Sequence, residues 1–194
     1  MTLTTAQYAS LRAAIQADPV LNAIPIGGDG DIDIANAFNA LASPDFFVWR
    51  PDVPVREIMD TFNFAAFTPA DSMPESQVDS AAIQRYSARL LAIQTKQMNL
   101  QLMLQGRETV DASLPNFRAG LRDALVGVPA GANGAGVAVA GANAGNALNA
   151  CTRKGTRAEK LFAGSNATTG AVTAALMNVT GPISAADVGI ARAN

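Results

Sequence analysis

The chain has 194 residues, of which 49% are hydrophobic and only 15% are charged, and its formal net charge is −2. This length and composition predict one globular domain with a real core. With 14 basic residues against 16 acidic ones, the overall charge gives no support to nucleic-acid binding, which normally needs a basic face.

The chain contains no histidine and a single cysteine, Cys151. Histidine is the commonest general base and metal ligand, and it is the usual partner of a serine or cysteine nucleophile. A single cysteine excludes an intrachain disulfide and suits a reducing cytoplasm. We interpret Cys151 as a small core residue of a helix. The sequence therefore predicts no enzyme, no cofactor and no metal site, and residues 1–16 carry no signal-peptide pattern.

The first helix is predicted over residues 4–18. Thr4 and Gln7 are spaced as a capping box, and apolar residues follow at helical spacing. The helix should end by Asp18, because Pro19 disfavours the α conformation in the residue before it.

The stretch IPIGGDGDIDIANAF, residues 24–38, contains three aspartates at alternate positions: Asp29, Asp31 and Asp33. A calcium loop that began at the first of them would need a glycine at its sixth position and a carboxylate at its twelfth. Those positions hold Ile34 and Ala40. The spacing favours a helix start, with Asp29 or Asp31 as the cap and with Ile34, Phe38 and Leu41 as the buried stripe. A weak metal site is the alternative.

The densest aromatic cluster of the chain lies in SPDFFVW, residues 43–49, and contains Phe46, Phe47 and Trp49. Large aromatic residues dominate protein cores, which favours a plug that closes one end of a helical bundle. Tryptophan is also favoured at binding hot spots, so an interface anchor is the alternative.

The longest helix is predicted to start near Ser72 and Pro74 and to end at Gly106. Apolar positions recur in alternating steps of three and four, as in a coiled-coil seam: Ile83, Tyr86, Leu90, Ile93, Leu100 and Leu104, with Gln97 as a break. Further apolar residues lie off this seam: Leu91, Met98, Leu102 and Met103. A helix that is apolar on more than one face is buried on most sides. It is therefore predicted as the central helix of a bundle, with contact to a neighbouring copy as the alternative.

Residues 124–152 carry no charge, and their length alone would permit a membrane span. Asparagines, glycines and Pro129 within the segment argue against one, because each amide is costly in hydrocarbon. We expect a glycine-rich loop followed by a close-packed helix that runs through about Ala163, with a kink at Gly155.

Basic residues are concentrated at the end of this predicted helix: Arg153, Lys154, Arg157 and Lys160. Such clusters are common on solvated helices, and positive charges near the C-terminus of a helix are stabilised by the negative end of the helix dipole. Contact with an acidic partner surface or with DNA phosphate is the alternative.

The last segment predicts a short strand or extended arm over residues 172–180, followed by a short helix capped by Ser184 and Asp187. The expected fold is mainly α: a helical bundle with a long central helix, extended loops and a short β or extended segment near the C-terminus. Residues 1–165 are expected to form the bundle domain, and residues 166–194 an extended arm plus a short C-terminal helix.

Four stretches resemble a group of small proteins encoded by tailed bacteriophages: ALASPDFFVWRPDVPVREIM, PNFRAGLRDALVG, TRKGTRAEKLFAGSNATTG and ISAADVGIARA. The residues that agree with the motifs of the group are Asn39, Ala40, Ser43, Pro44, Phe46, Val48, Trp49, Arg50 and residues 156–162. Where members of the group have a bulkier helix before their cysteine, this chain has alanine and glycine.

The resemblance implies a virion protein with no known enzymatic activity, made in the cytoplasm of the bacterial host. The expected function is that of a neck or tail subunit of the head–tail adaptor type, which acts through protein–protein packing. A capsid decoration or cement protein is the alternative, followed by a DNA-contacting module.

The expected partners are other virion proteins (portal, tail or capsid subunits) and further copies of the chain in a homo-oligomeric ring. Neither a membrane span nor DNA contact is expected. The residues predicted to form the partner interface are Phe46, Phe47, Trp49, Leu100, Leu102, Met103, Arg153, Lys154 and Arg157.

Overall fold

A computed structural model describes residues 3–68, 80–129, 138–179 and 181–193. Contacts within the chain divide it into two compact units, each made of separate segments. Unit 1 comprises Met1–Trp49, Arg153–Ala167 and Thr173–Asn194, and unit 2 comprises Arg50–Thr152 and Thr168–Val172. The predicted boundary at residue 165, between a bundle domain and an extended arm with a short C-terminal helix, stays a prediction.

The described helices are α1 (Thr5–Ala17), α2 (Pro19–Asn22), α3 (Asp29–Asn39), α4 (Val55–Met59), α5 (Ser80–Leu104), α6 (Pro115–Leu125), α7 (Ala144–Ala150), α8 (Arg157–Phe162) and α9 (Ala185–Ala193), with a 3₁₀ turn at Phe64–Phe67. The strands are β1 (Phe47–Trp49), β2 (Val53–Pro54), β3 (Thr109–Val110), β4 (Thr152–Lys154), β5 (Asn166–Thr169) and β6 (Val172–Ala175). Helices hold 56% of the described residues, but 13% lie in strands, so the fold combines α and β structure. The predicted helical bundle is wrong, because a four-stranded mixed sheet forms as well.

The strands of this sheet lie in the order β4-β1-β6-β5, and most of their residues belong to unit 1. β1 pairs in parallel with β6, with Val48 opposite Ala175. β5 and β6 are joined by a tight turn in which Gly170 has a φ of +61°, a conformation that favours glycine. The beginning of the segment predicted as an arm therefore supplies two strands of the sheet.

Residues 144–163 do not form the single helix that the sequence predicted. α7 ends at Ala150, β4 follows, and a new helix begins at Arg157. At Gly155 the backbone passes so close to β1 that a Cβ atom would lie 2.8 Å from Cδ1 of Phe46. The amide of Gly155 donates to the carbonyl of Phe46 at 2.7 Å. The backbone pairs with β1 here instead of continuing the helix, which is why the prediction is wrong.

Unit 1 contains a helical core in which α1, α3 and α9 pack together. Its largest contributors are Leu11, Ile15, Ile34, Phe38, Phe162 and Val188. The predicted capping box of Thr4 and Gln7 is confirmed, and α1 ends with Asp18 as its C-cap, as predicted.

α3 begins at Asp29, which confirms a helix start in the aspartate-rich stretch. The predicted aspartate cap is wrong, because Gly28 occupies the N-cap position with a φ of +53°. Asp29 and Asp31 lie in the first turn, where the positive end of the helix dipole favours carboxylates. Phe38 is buried as predicted, but Leu41 lies beyond the end of the helix and is 63% exposed.

Asp187 anchors α9 to α1. Its carboxylate accepts hydrogen bonds from the hydroxyl of Tyr8 at 3.1 Å and from the amide and hydroxyl of Ser184 at 3.0 and 2.7 Å. Burial raises the pKa of Asp187, but the hydrogen bonds from Ser184 and Tyr8 outweigh it and hold the pKa below its ordinary value. The predicted capping pair of Ser184 and Asp187 is confirmed.

Arg192 ties the end of α9 to the start of α3. Its guanidinium pairs with Asp31 at 3.0 Å and donates to the carbonyls of Ile24 at 2.6 Å and Pro25 at 3.0 Å. Both charged side chains are about nine-tenths buried. The first turn of α3 passes very close to Pro25. A Cβ atom at Gly30 would lie only 2.2 Å from the carbonyl oxygen of Pro25, so a residue with a side chain would not fit there.

Unit 2 consists of α5, α6 and α7, together with α4 and a two-stranded antiparallel sheet of β2 and β3. α6 packs against both α5 and α7. Buried Arg118 on α6 donates to the carbonyls of Ala112 and Ser113 at 2.7 and 2.6 Å, which fixes the turn before α6. α6 begins with Pro115 at its first position, where proline is favoured, and ends at Leu125.

α5 is not buried on most sides, in contrast to the prediction from the sequence. Its buried residues are Arg89, Ile93, Leu100 and Leu104, and the rest of the helix is half-buried or exposed. The predicted start at Ser72 and Pro74 lies outside the described residues. None of the helices within the described ranges is long and apolar enough to cross a membrane.

Replacing Arg192 by methionine should lower the free energy of unfolding by about 3 kcal/mol, because it leaves the buried carboxylate of Asp31 without its ion pair. Urea unfolding at neutral pH measures the loss. The matched control is Arg56→Met, since Arg56 is 92% exposed and pairs with Asp60 at 3.9 Å on the surface. The control should cost less than about 0.5 kcal/mol. Equal losses in the two variants would contradict a stabilising role for the Arg192 pair.

Candidate interaction surfaces

Three large apolar side chains on α5 are exposed on one face of the helix. Leu91, Met98 and Leu102 are 64%, 62% and 71% exposed. Their spacing of seven and then four residues places them on one line along the helix. We name these three residues the α5 stripe. Thr95 lies between them, and its hydroxyl donates to the carbonyl of Leu91 at 2.9 Å within the same helix.

Contacts on another side of α5 fix the direction in which the stripe points. The ammonium of Lys96 donates to the carbonyls of Asp123 and Val126, each at 2.7 Å, at the end of α6. These last carbonyls of α6 lack helical partners, so a lysine is favoured there. Lys96 lies about 140° around the helix from Leu91, at 100° per residue. The stripe therefore faces away from α6.

The other predicted residues of α5 are placed differently. Leu100 is buried, and Met103 is half-buried against α6, where a Cβ at Gly120 would lie 3.1 Å from its sulfur. Of the three α5 residues predicted for the interface, Leu102 is the most exposed. Leu91 and Met98 share its face, although they were not in the predicted set.

An apolar groove of about 380 Å³ lies between α5 and the segment after α4. One side is formed by Met59, Phe62, Phe64 and Phe67, and the other by residues of α5 that include Leu100 and Leu104. The rings of Phe62 and Phe64 lie 5.8 Å apart, and Phe64 is 57% exposed. None of the described residues that line the groove is charged.

The aromatic cluster around β1 divides between the core and the surface of unit 1. Trp49 is fully buried, and its indole nitrogen donates to the carbonyl of Ala167 at 3.0 Å. Phe46 is half-buried beside Gly155, and Phe47 is 44% exposed. Trp49 is a core residue, but it lies in strand β1 and does not close the end of a helical bundle. Phe47 is the member of the cluster that a partner could reach.

The three basic residues predicted for the interface each contact a carboxylate in unit 1. Arg153 makes two hydrogen bonds to Glu159, at 2.8 and 2.6 Å. Lys154 lies 2.8 Å from Asp45, and Arg157 lies 2.9 Å from Asp18. Arg153 and Lys154 belong to β4 rather than to the end of a helix, so the predicted helix-end cluster is wrong.

Glu159 pairs with Arg153 and also caps the start of α8. Its carboxylate accepts from the amide of Thr156 at 2.9 Å, and its own amide donates to the hydroxyl of Thr156 at 3.1 Å. Burial raises the pKa of Glu159, but the hydrogen bonds from Arg153 and Thr156 outweigh it and hold the pKa below its ordinary value. The spacing of Thr156 and Glu159 is that of a capping box, a sequence signal that our sequence analysis missed.

An open cleft of about 670 Å³ lies in unit 1 among α1, α3 and α8, and we name it the α3–α8 cleft. Its apolar lining includes Ala14, Ala37, Leu41 and Leu161. Among the described residues, its charged lining consists of Arg157, Lys160 and Asp18. The guanidinium of Arg157 stacks over the ring of Phe38, 4.7 Å from its centroid. The hydrogen bond from Arg157, followed by backbone amides, lowers the pKa of Asp18.

The residues considered for metal binding or catalysis are the three aspartates Asp29, Asp31 and Asp33 and the thiol of Cys151, all in the described part of the chain. No group of three or more residues that could hold a metal ion is found there. Asp31 is paired with Arg192. Cys151 is buried, and burial raises the pKa of its thiol to about 12, which keeps it protonated and unreactive at neutral pH.

Comparisons with protein-family models, with curated proteins and with solved structures found no match to this chain. The function proposed below therefore depends on the sequence motifs, the exposed apolar side chains and the arrangement of charge.

Replacing Glu159 by glutamine should lower stability at pH 7 by about 1 kcal/mol, because it removes a charge-assisted pair with the half-exposed Arg153. Glutamine at this position retains the capping box. The pKa of Glu159 is lower in the folded state than its unfolded value of 4.5. Its ionised carboxylate therefore adds to the free energy of unfolding above pH 4.5, and this contribution disappears as the pH falls through the folded-state pKa. Denaturant unfolding at pH 7 and at pH 3 measures the change.

The matched control is Glu108→Gln, which alters an exposed carboxylate of unit 2. Its effect on stability should be small at both pH values. A loss for the Glu159 variant that is as large at pH 3 as at pH 7 would contradict the role of the charge.

Proposed function

We propose that this chain is a structural component of a tailed bacteriophage virion, and that it is a neck or tail subunit of the head–tail adaptor type. It acts by packing against other proteins and converts no substrate. The phage assignment is supported by the motifs around residues 39–50 and 156–162 that resemble small phage proteins. The expected partners are portal, tail or capsid subunits and further copies of the chain.

The observation that carries the mode of action is the α5 stripe. Three large apolar side chains lie exposed along about 16 Å of one helix, at 1.5 Å per residue. With Thr95 they repeat in steps of four, three and four, the spacing at which one helix packs along another. Apolar surface that is arranged along a line marks a protein–protein contact more than scattered exposed residues do.

A ring of identical subunits needs two different surfaces that meet around a closed circle. The α5 stripe supplies one such surface in unit 2. The groove that contains Phe64 supplies a second apolar surface in the same unit. We propose that copies of the chain contact one another through surfaces of this kind.

The alternative within the same class is a capsid decoration or cement protein, which the motifs support equally. A DNA-contacting module has less support, because Arg153, Lys154 and Arg157 each contact a carboxylate of the chain. Nucleic-acid binding needs several cations that are available to neutralise phosphates.

Purified particles of the phage that encodes this chain test the proposed location. Mass spectrometry should detect the chain in particles that have been washed at high salt. A particle reconstruction should place its density on the portal and tail axis, whereas density spread over the shell would select the decoration alternative. Particles that lack the chain would overturn the virion assignment.

Replacing Leu91, Met98 and Leu102 together by glutamine should abolish self-association without reducing stability by more than about 1 kcal/mol, because the three side chains are mostly exposed and glutamine favours helix. Light scattering after size exclusion, over a dilution series, measures the mass. The matched control replaces the exposed residues Arg85 and Asn99, also on α5, by glutamine. Equal self-association of the wild-type chain and of the triple variant would contradict the role of the stripe.

A further inference from the structure

The α3–α8 cleft contains more positive than negative charge. Arg157 and Lys160 are three residues apart on α8 and lie on the same face of the helix. Arg157 donates through Nη2 to Asp18, and a guanidinium has further N–H donors at its other edge. Within the described ranges, the ammonium of Lys160 makes one long hydrogen bond, 3.4 Å, to the carbonyl of Pro44. Two cations therefore face one carboxylate, which leaves one positive charge for an anion.

The floor of the same cleft is apolar. Ala14, Ala37 and Leu161 line it, and Leu41 stands at its edge with 63% of its surface exposed. The ring of Phe38 lies beneath the guanidinium of Arg157, which holds the cation in place by stacking. A small inorganic anion would leave this apolar surface in water, so the cleft fits a ligand that brings an apolar group beside its negative charge.

We propose that the α3–α8 cleft binds an acidic segment of a partner protein, in which an aliphatic side chain lies next to an aspartate or glutamate. The carboxylate pairs with Lys160 and with the open edge of Arg157, and the aliphatic side chain packs on Leu41 and Ala37. The cleft is open to solvent, and its volume of about 670 Å³ is in the range of clefts that hold a ligand. This inference rests on the proposed action through protein packing, but not on the virion location.

Charge favours a protein segment over a nucleic acid as the occupant. Successive phosphates would bring several negative charges to a cleft that holds two cations and the carboxylate of Asp18. Tight phosphate binding needs more cations than these two. A single side-chain carboxylate next to an aliphatic group matches both the surplus charge and the apolar floor.

The test uses the full-length chain and a blocked hexapeptide of sequence Gly-Leu-Asp-Leu-Asp-Gly, with an analogue that has asparagine in place of both aspartates. Amide chemical shifts measured by NMR at low salt should change at residues 41–43 and 157–161 on addition of the acidic peptide. Lys160→Gln should weaken binding about fivefold, as expected for the loss of one partly exposed charge-assisted contact. Asp18→Asn should strengthen binding about threefold, because asparagine keeps the cap of α2 while the competing charge is removed.

The matched control is Lys154→Gln, which removes an exposed lysine of unit 1 that pairs with Asp45 outside the cleft. Its affinity for the acidic peptide should equal that of the wild-type chain. Thermal unfolding of each variant verifies that the fold is retained.

Three results would overturn the proposal: no shift changes in the cleft at millimolar peptide, equal binding of the asparagine analogue, or tighter binding of a short oligonucleotide at the same residues. The particle analysis described above is independent of all three. If the chain binds the peptide but is missing from particles, the proposed binding in the cleft stands and the proposed location in the virion is wrong.

Discussion

The backbone can pass beside Phe46 only because residue 155 has no side chain. A Cβ atom there would lie 2.8 Å from the phenylalanine ring and 3.2 Å from Val48, closer than atoms of a packed core tolerate. The close approach allows the amide of Gly155 to donate to the carbonyl of Phe46, and α8 begins two residues later, at Arg157. The amide of Ala42 also donates to the carbonyl of Gly155 at 3.0 Å, and the amide of Arg157 donates to the carbonyl of Ala40 at 2.9 Å. Together these contacts hold the start of α8, the helix that carries Arg157 and Lys160.

The parts of the fold that the sequence predicted are those that depend on neighbouring residues. The N-terminal starts of α1 and α9 are set by capping pairs within one turn, Thr4 with Gln7 and Ser184 with Asp187. Both pairs could be recognised from their spacing in the sequence. The sheet was not predicted, because Phe46 and Gly155 meet across more than a hundred residues of chain. Alanine-rich sequence before Cys151 favoured a continuous helix, and long-range strand pairing overrode that propensity.

The interaction surfaces were predictable to different degrees. Apolar residues outside the main seam of α5 indicated a second contact face, but only the packing of Lys96 against α6 shows which side stays exposed. The α3–α8 cleft could not be predicted from the sequence, because Asp18, Phe38 and Arg157 lie far apart in the chain and only the tertiary fold brings them together. Each unit thus has a surface of its own kind, one apolar and linear, the other cationic with an apolar floor. A protein that works by contact with more than one neighbour would need this difference, because each surface selects a partner of different chemistry.

Trp49 is the only tryptophan of the chain, and it lies in the interior of unit 1 with its indole nitrogen bonded to Ala167. Cys151 is the only thiol, and it lies in the interior of unit 2. Indole fluorescence therefore reports the loss of packing around a residue of unit 1, and reaction with a thiol reagent reports the exposure of a residue of unit 2. The wild-type chain, without any introduced probe, can therefore reveal whether these two positions lose their packing together or in sequence.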